Sequence, residues 1–138
     1  MYRRCAFMAL RANRRPRNTL LIFTFKPMNY DGKSFRIVTN ADNGETSSET
    51  FFRYSQVGNV ITGSYGGGLV VKGSLVGTVD EAGILNFRYQ HVNTDGETRT
   101  GVCRSLPEVM PTGKIRLRES WQWTSGDGSS GTSVIEEV

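Results

Sequence analysis

From Val60 to Glu137, apolar and polar residues alternate in short runs, and glycine-rich or Asp-Gly turns cut those runs at short intervals. A period of two is the mark of half-buried strands, and no helical period competes with it here. Eight strands are predicted, over residues 35–39, 50–56, 60–65, 69–79, 84–92, 97–106, 114–124 and 131–137. Residues 40–49 form a polar loop whose only apolar member is Ala41, and residues 107–113 form another loop. Asn59, Gly66-Gly67-Gly68, Gly83 and Asp95-Gly96 mark the tighter turns. Short connections make successive strands antiparallel neighbours. A meander of eight such strands leaves two raw edges unless the last pairs with the first, and closure removes both. The expected fold is therefore all-β, an eight-stranded antiparallel up-and-down barrel. Its lumen has room for its own side chains or for one small ligand.

The seventh strand sharpens the functional question. Ile115, Leu117, Glu119, Trp121 and Trp123 share one face under strict alternation, while Lys114, Arg116, Arg118, Ser120, Gln122 and Thr124 take the wet face. A carboxylate among large apolar groups is costly unless it is paired or hydrogen-bonded. Glu119 is then a ligand anchor, an acid with a raised pKa, or a carboxylate satisfied by an inward residue such as Arg53 or Tyr54. His91, the one histidine, lies in phase with Leu85, Phe87 and Tyr89. It reads as a pocket base or as a half-buried strand-end histidine bonded to backbone. A Cys103–His91 nucleophilic dyad is disfavoured by a simple hairpin. A two- or four-residue loop at Asp95-Gly96 pairs Tyr89 with residue 100 or 102 and turns Cys103 to the opposite face, which only a bulge reverses. Trp121 and Trp123 could grip a ring or fill the core. Gly66-Gly67-Gly68 lacks the strand–loop–helix setting of a phosphate loop and reads as a tight turn.

Charge divides the chain. Residues 1–27 carry seven basic residues and no acid, whereas residues 28–138 carry ten basic and thirteen acidic ones. The basic character thus belongs to an N-terminal extension, and the body offers no nucleic-acid surface. In the extension, arginines interrupt the apolar stretch of a would-be secretory signal, and the serines of a transit peptide are missing. It reads as a dispensable segment ahead of Met28. No apolar run approaches the ~20 residues of a membrane-spanning helix, and no membrane partner is expected. Two cysteines, Cys5 and Cys103, are too few for a disulfide framework. With a single histidine they make no zinc site. Both are expected as free thiols in a reducing, cytoplasmic compartment. No cofactor or metal is expected.

Ile61-Thr62-Gly63-Ser64-Tyr65, Leu75-Val76-Gly77-Thr78, Phe87-Arg88-Tyr89, Thr100-Gly101-Val102-Cys103 and Trp121 resemble the strand pattern of avidin-like barrels. The whole body from Met28 is also similar to a small bacterial family of avidin-like or lipocalin-like barrels. Gly44-Glu45-Thr46-Ser47-Ser48-Glu49-Thr50 and Trp121-Gln122-Trp123-Thr124-Ser125-Gly126-Asp127 carry that likeness. By the avidin resemblance Tyr65 matches the tyrosine that hydrogen-bonds biotin, and Tyr89 falls near a pocket aromatic. The chain departs from the avidins at Gly66-Gly67-Gly68, where they carry a longer lid-forming loop, and this argues against biotin itself. Members of the small family are often labelled N-acetylglutamate synthase. An acetyltransferase usually cradles its cofactor's pyrophosphate on a glycine-rich loop opening a helix, and these residues offer no such helix.

Three readings follow. The first is a barrel that binds a small molecule or related partner through Tyr54, Tyr65, Tyr89, His91, Glu119, Trp121 and Trp123. The second is a small barrel enzyme with Glu119 or His91 as general base. The third is a structural module with a filled interior, and an oligomer stays open in each. All strand patterning follows Asp31, so residues 28–138 are expected to fold as one domain without the extension. Expressed alone, that segment should match the full chain in unfolding free energy to within about 1 kcal/mol in a denaturant titration.

Overall fold

The computed structural model describes residues 28–138. The basic segment 1–27, with Cys5 and every expectation made for it, lies outside the described residues. Eight strands form in chain order: β1 (Ser34–Asn40), β2 (Phe51–Val57), β3 (Val60–Gly67), β4 (Val70–Val79), β5 (Leu85–Asn93), β6 (Thr98–Val109), β7 (Ile115–Trp123) and β8 (Ser130–Glu137). Each pairs antiparallel with the next, and β8 pairs with β1 to close the barrel. Burial alternates along the strands, as along β7, where Ile115, Leu117, Glu119, Trp121 and Trp123 face the interior and their neighbours face outward. Among the described residues no helix is long and apolar enough to cross a membrane.

Two expectations about connections need correction. Residues 107–109 continue β6 instead of opening a loop, with Pro107 opposite Leu117. The β5–β6 ladder ends at the Leu85–Ser105 pair, so Pro107 sits where β6 has outrun one neighbour and its missing N–H costs little. The β5–β6 turn is neither a two- nor a four-residue loop. Val92 pairs with Thr98, the Gly96 N–H donates to the Asn93 carbonyl, and Gly96 adopts φ +75°. This is the geometry of a three-residue loop with a left-handed glycine and a bulge. It shifts the register by one, so that Tyr89 faces Gly101 and Phe87 faces Cys103. Cys103 therefore points into the barrel on the same side as His91. The turn at Gly66-Gly67-Gly68 is as expected in kind, with positive φ at Gly67 and Gly68 and Gly67 paired to Val70.

The closed end of the barrel is packed solid. Tyr30, Phe35, Tyr54, Leu85, Leu117 and Ile135 are fully buried there, and the Tyr30 hydroxyl donates to the Gly83 carbonyl. Rings of Tyr30, Phe35 and Tyr54 meet at centroid distances of 5.0–6.5 Å. At this end Lys33 meets Glu137 at 3.0 Å, tying the entry to β1 to the end of β8.

Toward the middle and the mouth a different rule governs packing. Tyr65 is opposite Gly73, Phe87 opposite Gly77, Tyr89 opposite Gly101 and Trp121 opposite Gly131. Each ring or its root occupies the space a Cβ on the facing glycine would need. An inward aromatic opposite an inward glycine can lie flat along the wall. Were a side chain there, the ring would have to stand into the lumen. Gly101→Ala would place a methyl against the Tyr89 ring and 2.8 Å from the Gln122 carbonyl oxygen. This substitution is expected to cost about 1–3 kcal/mol of overpacking strain, measured by chemical denaturation, and to change the tryptophan emission as Tyr89 shifts against Trp123.

Candidate functional site

The β3–β4, β5–β6 and β7–β8 turns gather at the opposite end, the mouth, together with residues 41–50 between β1 and β2. Just inside lies a cavity of about 50 Å³. Its wall is aromatic, with Phe52 from β2, Tyr65 from β3, Tyr89 from β5 and Trp121 and Trp123 from β7. The rings meet mostly edge to face, as in Tyr89–Trp123 at 5.7 Å and Trp121–Trp123 at 5.7 Å, while Phe52 and Tyr65 stack at 5.1 Å. Polar groups interrupt that wall at two levels, deep in the barrel and at the rim.

The deep group is Glu119. It is 7% exposed and faces Ser105 on β6 and Ser133 on β8. The Ser105 hydroxyl donates to Oε2 at 2.8 Å and the Ser133 hydroxyl to Oε1 at 3.1 Å, with the Cys103 thiol 3.5 Å from Oε2. Arg53, expected as a partner, points outward on β2. Two serines do that work instead. Burial raises the carboxyl pKa above its ordinary value, and the three hydrogen bonds only partly offset it. Burial, with the nearby Glu119 charge, also pushes the Cys103 thiol well up. A protonated, buried thiol is a poor nucleophile. It bonds to Glu119 and Ser105, while His91 lies four residues along β5 from Cys103's partner Phe87, so the two share a face without forming a dyad.

The rim group centres on His91, which is buried and bonded by side chains, not by backbone. Its Nδ1 shares a hydrogen bond with the Tyr65 hydroxyl at 2.9 Å, and its Nε2–H donates to Glu45 Oε1 at 2.8 Å. Glu45 Oε2 accepts from Asn93 Nδ2 at 2.9 Å, and Arg99 Nη1 lies 3.9 Å from Oε1. Partial burial pushes the Glu45 carboxyl up. The hydrogen bonds from His91 and Asn93 and the adjacent Arg99 charge outweigh it, and the pKa falls below its ordinary value.

Glu45 arrives on the longest connection in the barrel, residues 41–50. This segment crosses the mouth as a strap. The Trp123 indole N–H donates to the Asn43 carbonyl, and Asn43 Nδ2 donates to Ser129 and Ser130 on the far side. Thr50 anchors the other end by donating to the Gly67 carbonyl. Asn40, at the root of the strap, donates to Thr46 and lines the cavity, and its Oδ1 is buried without a partner among the described residues.

Of the residues singled out from sequence, Tyr65, Tyr89, His91, Glu119, Trp121 and Trp123 meet at this one cavity. Tyr54 does not line it. It lies below, fully buried, with its hydroxyl unpartnered among the described residues. The sequence reading missed Asn40, Glu45, Phe52, Asn93, Arg99, Ser105 and Ser133. One available signal was loop length, since a ten-residue connection among short turns is where function concentrates. Another was strand phase, which puts Phe52 on the same face as Tyr54.

The raised carboxyl of Glu119 has a sign that can be measured. The folded protein retains this proton at pH values where the unfolded chain, with its carboxyl near 4.5, has released it. Stability from this group is therefore highest below that value and falls as pH rises toward the folded pKa. In Glu119→Gln the fall disappears. Unfolding free energies measured from about pH 4 to about pH 7 should shift in favour of the Gln variant as pH rises, and an unchanged difference would contradict the raised carboxyl.

With the barrel and its cavity in place, comparison with known proteins adds one match. No curated protein and no solved structure matches the chain significantly. The family model described as "Avidin-like protein" matches residues 28–138, the whole closed barrel, and the chain belongs to the avidin-like protein family.

Proposed function

We propose that the barrel binds a small molecule whose polar head donates hydrogen bonds to Glu119 and Asn40 while its body lies among the aromatic rings. One observation carries this reading: a single cavity is lined by both a buried carboxylate and a residue whose buried oxygen has no partner. An unpaired buried acceptor costs roughly 1–3 kcal/mol, and a ligand N–H or O–H offsets that cost. Apolar walls with a few convergent polar groups are the usual make-up of a binding site. Membership of the avidin-like family agrees with a small ligand. The two-residue turn between β3 and β4 still argues against biotin.

Size limits the ligand. A water molecule needs about 10–15 Å³ of such space, so the cavity of about 50 Å³ admits only a few heavy atoms with the strap in place. A larger ligand requires the strap to lift. A second reading makes Glu119 a general base, favoured by its raised carboxyl in a cavity wall. His91 is a weaker candidate for that role, because Tyr65 and Glu45 already engage both ring nitrogens.

The chain's two tryptophans both line the cavity, so their emission reports on occupancy. Titration with a panel of small heterocyclic amides, ureas and alcohols is expected to give a saturable change with at least one compound. Trp121→Phe isolates the signal of Trp123. Glu119→Gln should weaken that compound at least about tenfold, the scale of one lost buried hydrogen bond. No saturable ligand, or a ligand indifferent to Glu119→Gln, would sink this reading. Turnover of the bound compound, abolished by the same substitution, would favour the enzyme instead.

A further inference from the structure

The rim of the cavity holds a carboxylate already, and that carboxylate belongs to the protein. His91 Nε2, Asn93 Nδ2 and Arg99 Nη1 converge on Glu45 at 2.8, 2.9 and 3.9 Å. The three donors are built into the wall. Tyr65 orients the His91 ring through Nδ1. Asn93 Oδ1 accepts the Asp95 and Glu97 N–H groups of the turn, which fixes Nδ2 toward the mouth. The Arg99 guanidinium lies over the Trp123 ring at 4.2 Å.

The acceptor is held differently. Glu45 sits on the strap, whose crossing is tied to the far side by exposed hydrogen bonds of Asn43. The strap springs from the shortest ladder in the barrel, since β1 and β2 share only three residue pairs, from Ser34–Arg53 to Arg36–Phe51. The fit of Glu45 is also incomplete. Arg99 stands too far off for a hydrogen bond, and its Nε is buried with no partner among the described residues. A guanidinium with an unused donor edge is suited to a carboxylate that can approach it freely.

We propose that His91, Asn93 and Arg99 form a carboxylate subsite at the cavity mouth, occupied by Glu45 until the carboxylate of a ligand displaces it. The inference rests on the ligand-binding reading above and narrows it to small organic acids. Glu45 acts as a tethered competitor, and its departure frees the strap. The preformed donors pay little ordering cost when one carboxylate replaces another. Charge balance is kept throughout, because one anion leaves the Arg99 guanidinium as another arrives.

Acetate is the probe, with acetamide as its uncharged counterpart and chloride holding ionic strength constant. Binding is read in the full chain by tryptophan emission and by the unfolding temperature. A tethered competitor acts at an effective concentration in the millimolar range. Glu45→Ala is therefore expected to bind acetate saturably and at least about tenfold more tightly than the wild type does. Acetamide should not bind, and Arg99→Met in the Glu45→Ala background should abolish the acetate response. If Glu45→Ala does not fold, Glu45→Gln serves, with a neutral occupant that acetate displaces more readily than the native one. Equal acetate affinity in wild type and variant, or a response shared by acetamide, would overturn the subsite and leave Glu45 a structural tie. Among the described residues Glu119 shares no hydrogen-bond partner with the rim donors, so the two readings fail separately. A saturable acetate site without any Glu119-dependent ligand would remove the head-group reading alone.

Discussion

The pairing of inward aromatics with inward glycines on the next strand is the constraint on which the interior depends. An eight-stranded barrel is close to the size at which its own side chains fill it. Four large rings pointing inward would ordinarily complete that filling. Here each faces a residue without a side chain and can fold against the wall. The closed end shows the alternative, where Tyr30, Phe35 and Leu117 pack to full burial. The same strands thus build a solid base and a hollow upper half. Glycine faces a ring at four positions of the upper half and at one, Gly63 opposite Tyr54, in the base.

A hollow lined by rings is a low-dielectric place, and the polar groups in it are held with care. Glu119 obtains its hydrogen bonds from serines and a thiol, none of them charged. It therefore remains a carboxyl whose ionisation is disfavoured, available to a partner that neutralises or solvates it. The rim follows the opposite design. Glu45 is met by a cationic side chain and two N–H donors, and its ionised form is favoured. One cavity thus presents a reluctant acid at its floor and a ready anion, held by the protein itself, at its entrance.

Sequence patterning was a good guide wherever one face of a strand is dry. Along β7 the alternation placed Glu119 beside Leu117 and Trp121 on the interior face, because a single slip would bury Arg116 and Arg118 instead. It was a poor guide to β5–β6. Asp-Gly serves two-residue and three-residue turns alike, and the choice depends on Asn93 capping two N–H groups and on Gly96 taking a left-handed conformation. That one residue of slack decides which face Cys103 occupies. The strap was invisible for another reason. Glu45 is 46 and 48 residues from the partners that hold it, and a polar loop reads the same whether it is solvated or folded across a cavity. The serines that satisfy Glu119 were hidden likewise, since only the ladders on both sides of β7 show them to be its neighbours.

The pairing of β8 with β1 has a consequence for how the protein is made. Every other ladder joins strands adjacent in the chain and can form as soon as both exist. The closing ladder joins Ser34–Asn40 to Ser130–Glu137, so the first edge stays open until β8 has left the ribosome. Until then the growing sheet carries one open edge of β1, a template for another nascent chain. The bulge between Ile37 and Thr39 interrupts the regular row of donors and acceptors that such a template needs. An irregularity that is minor in the finished barrel makes this edge a poorer match for a regular strand than for β8.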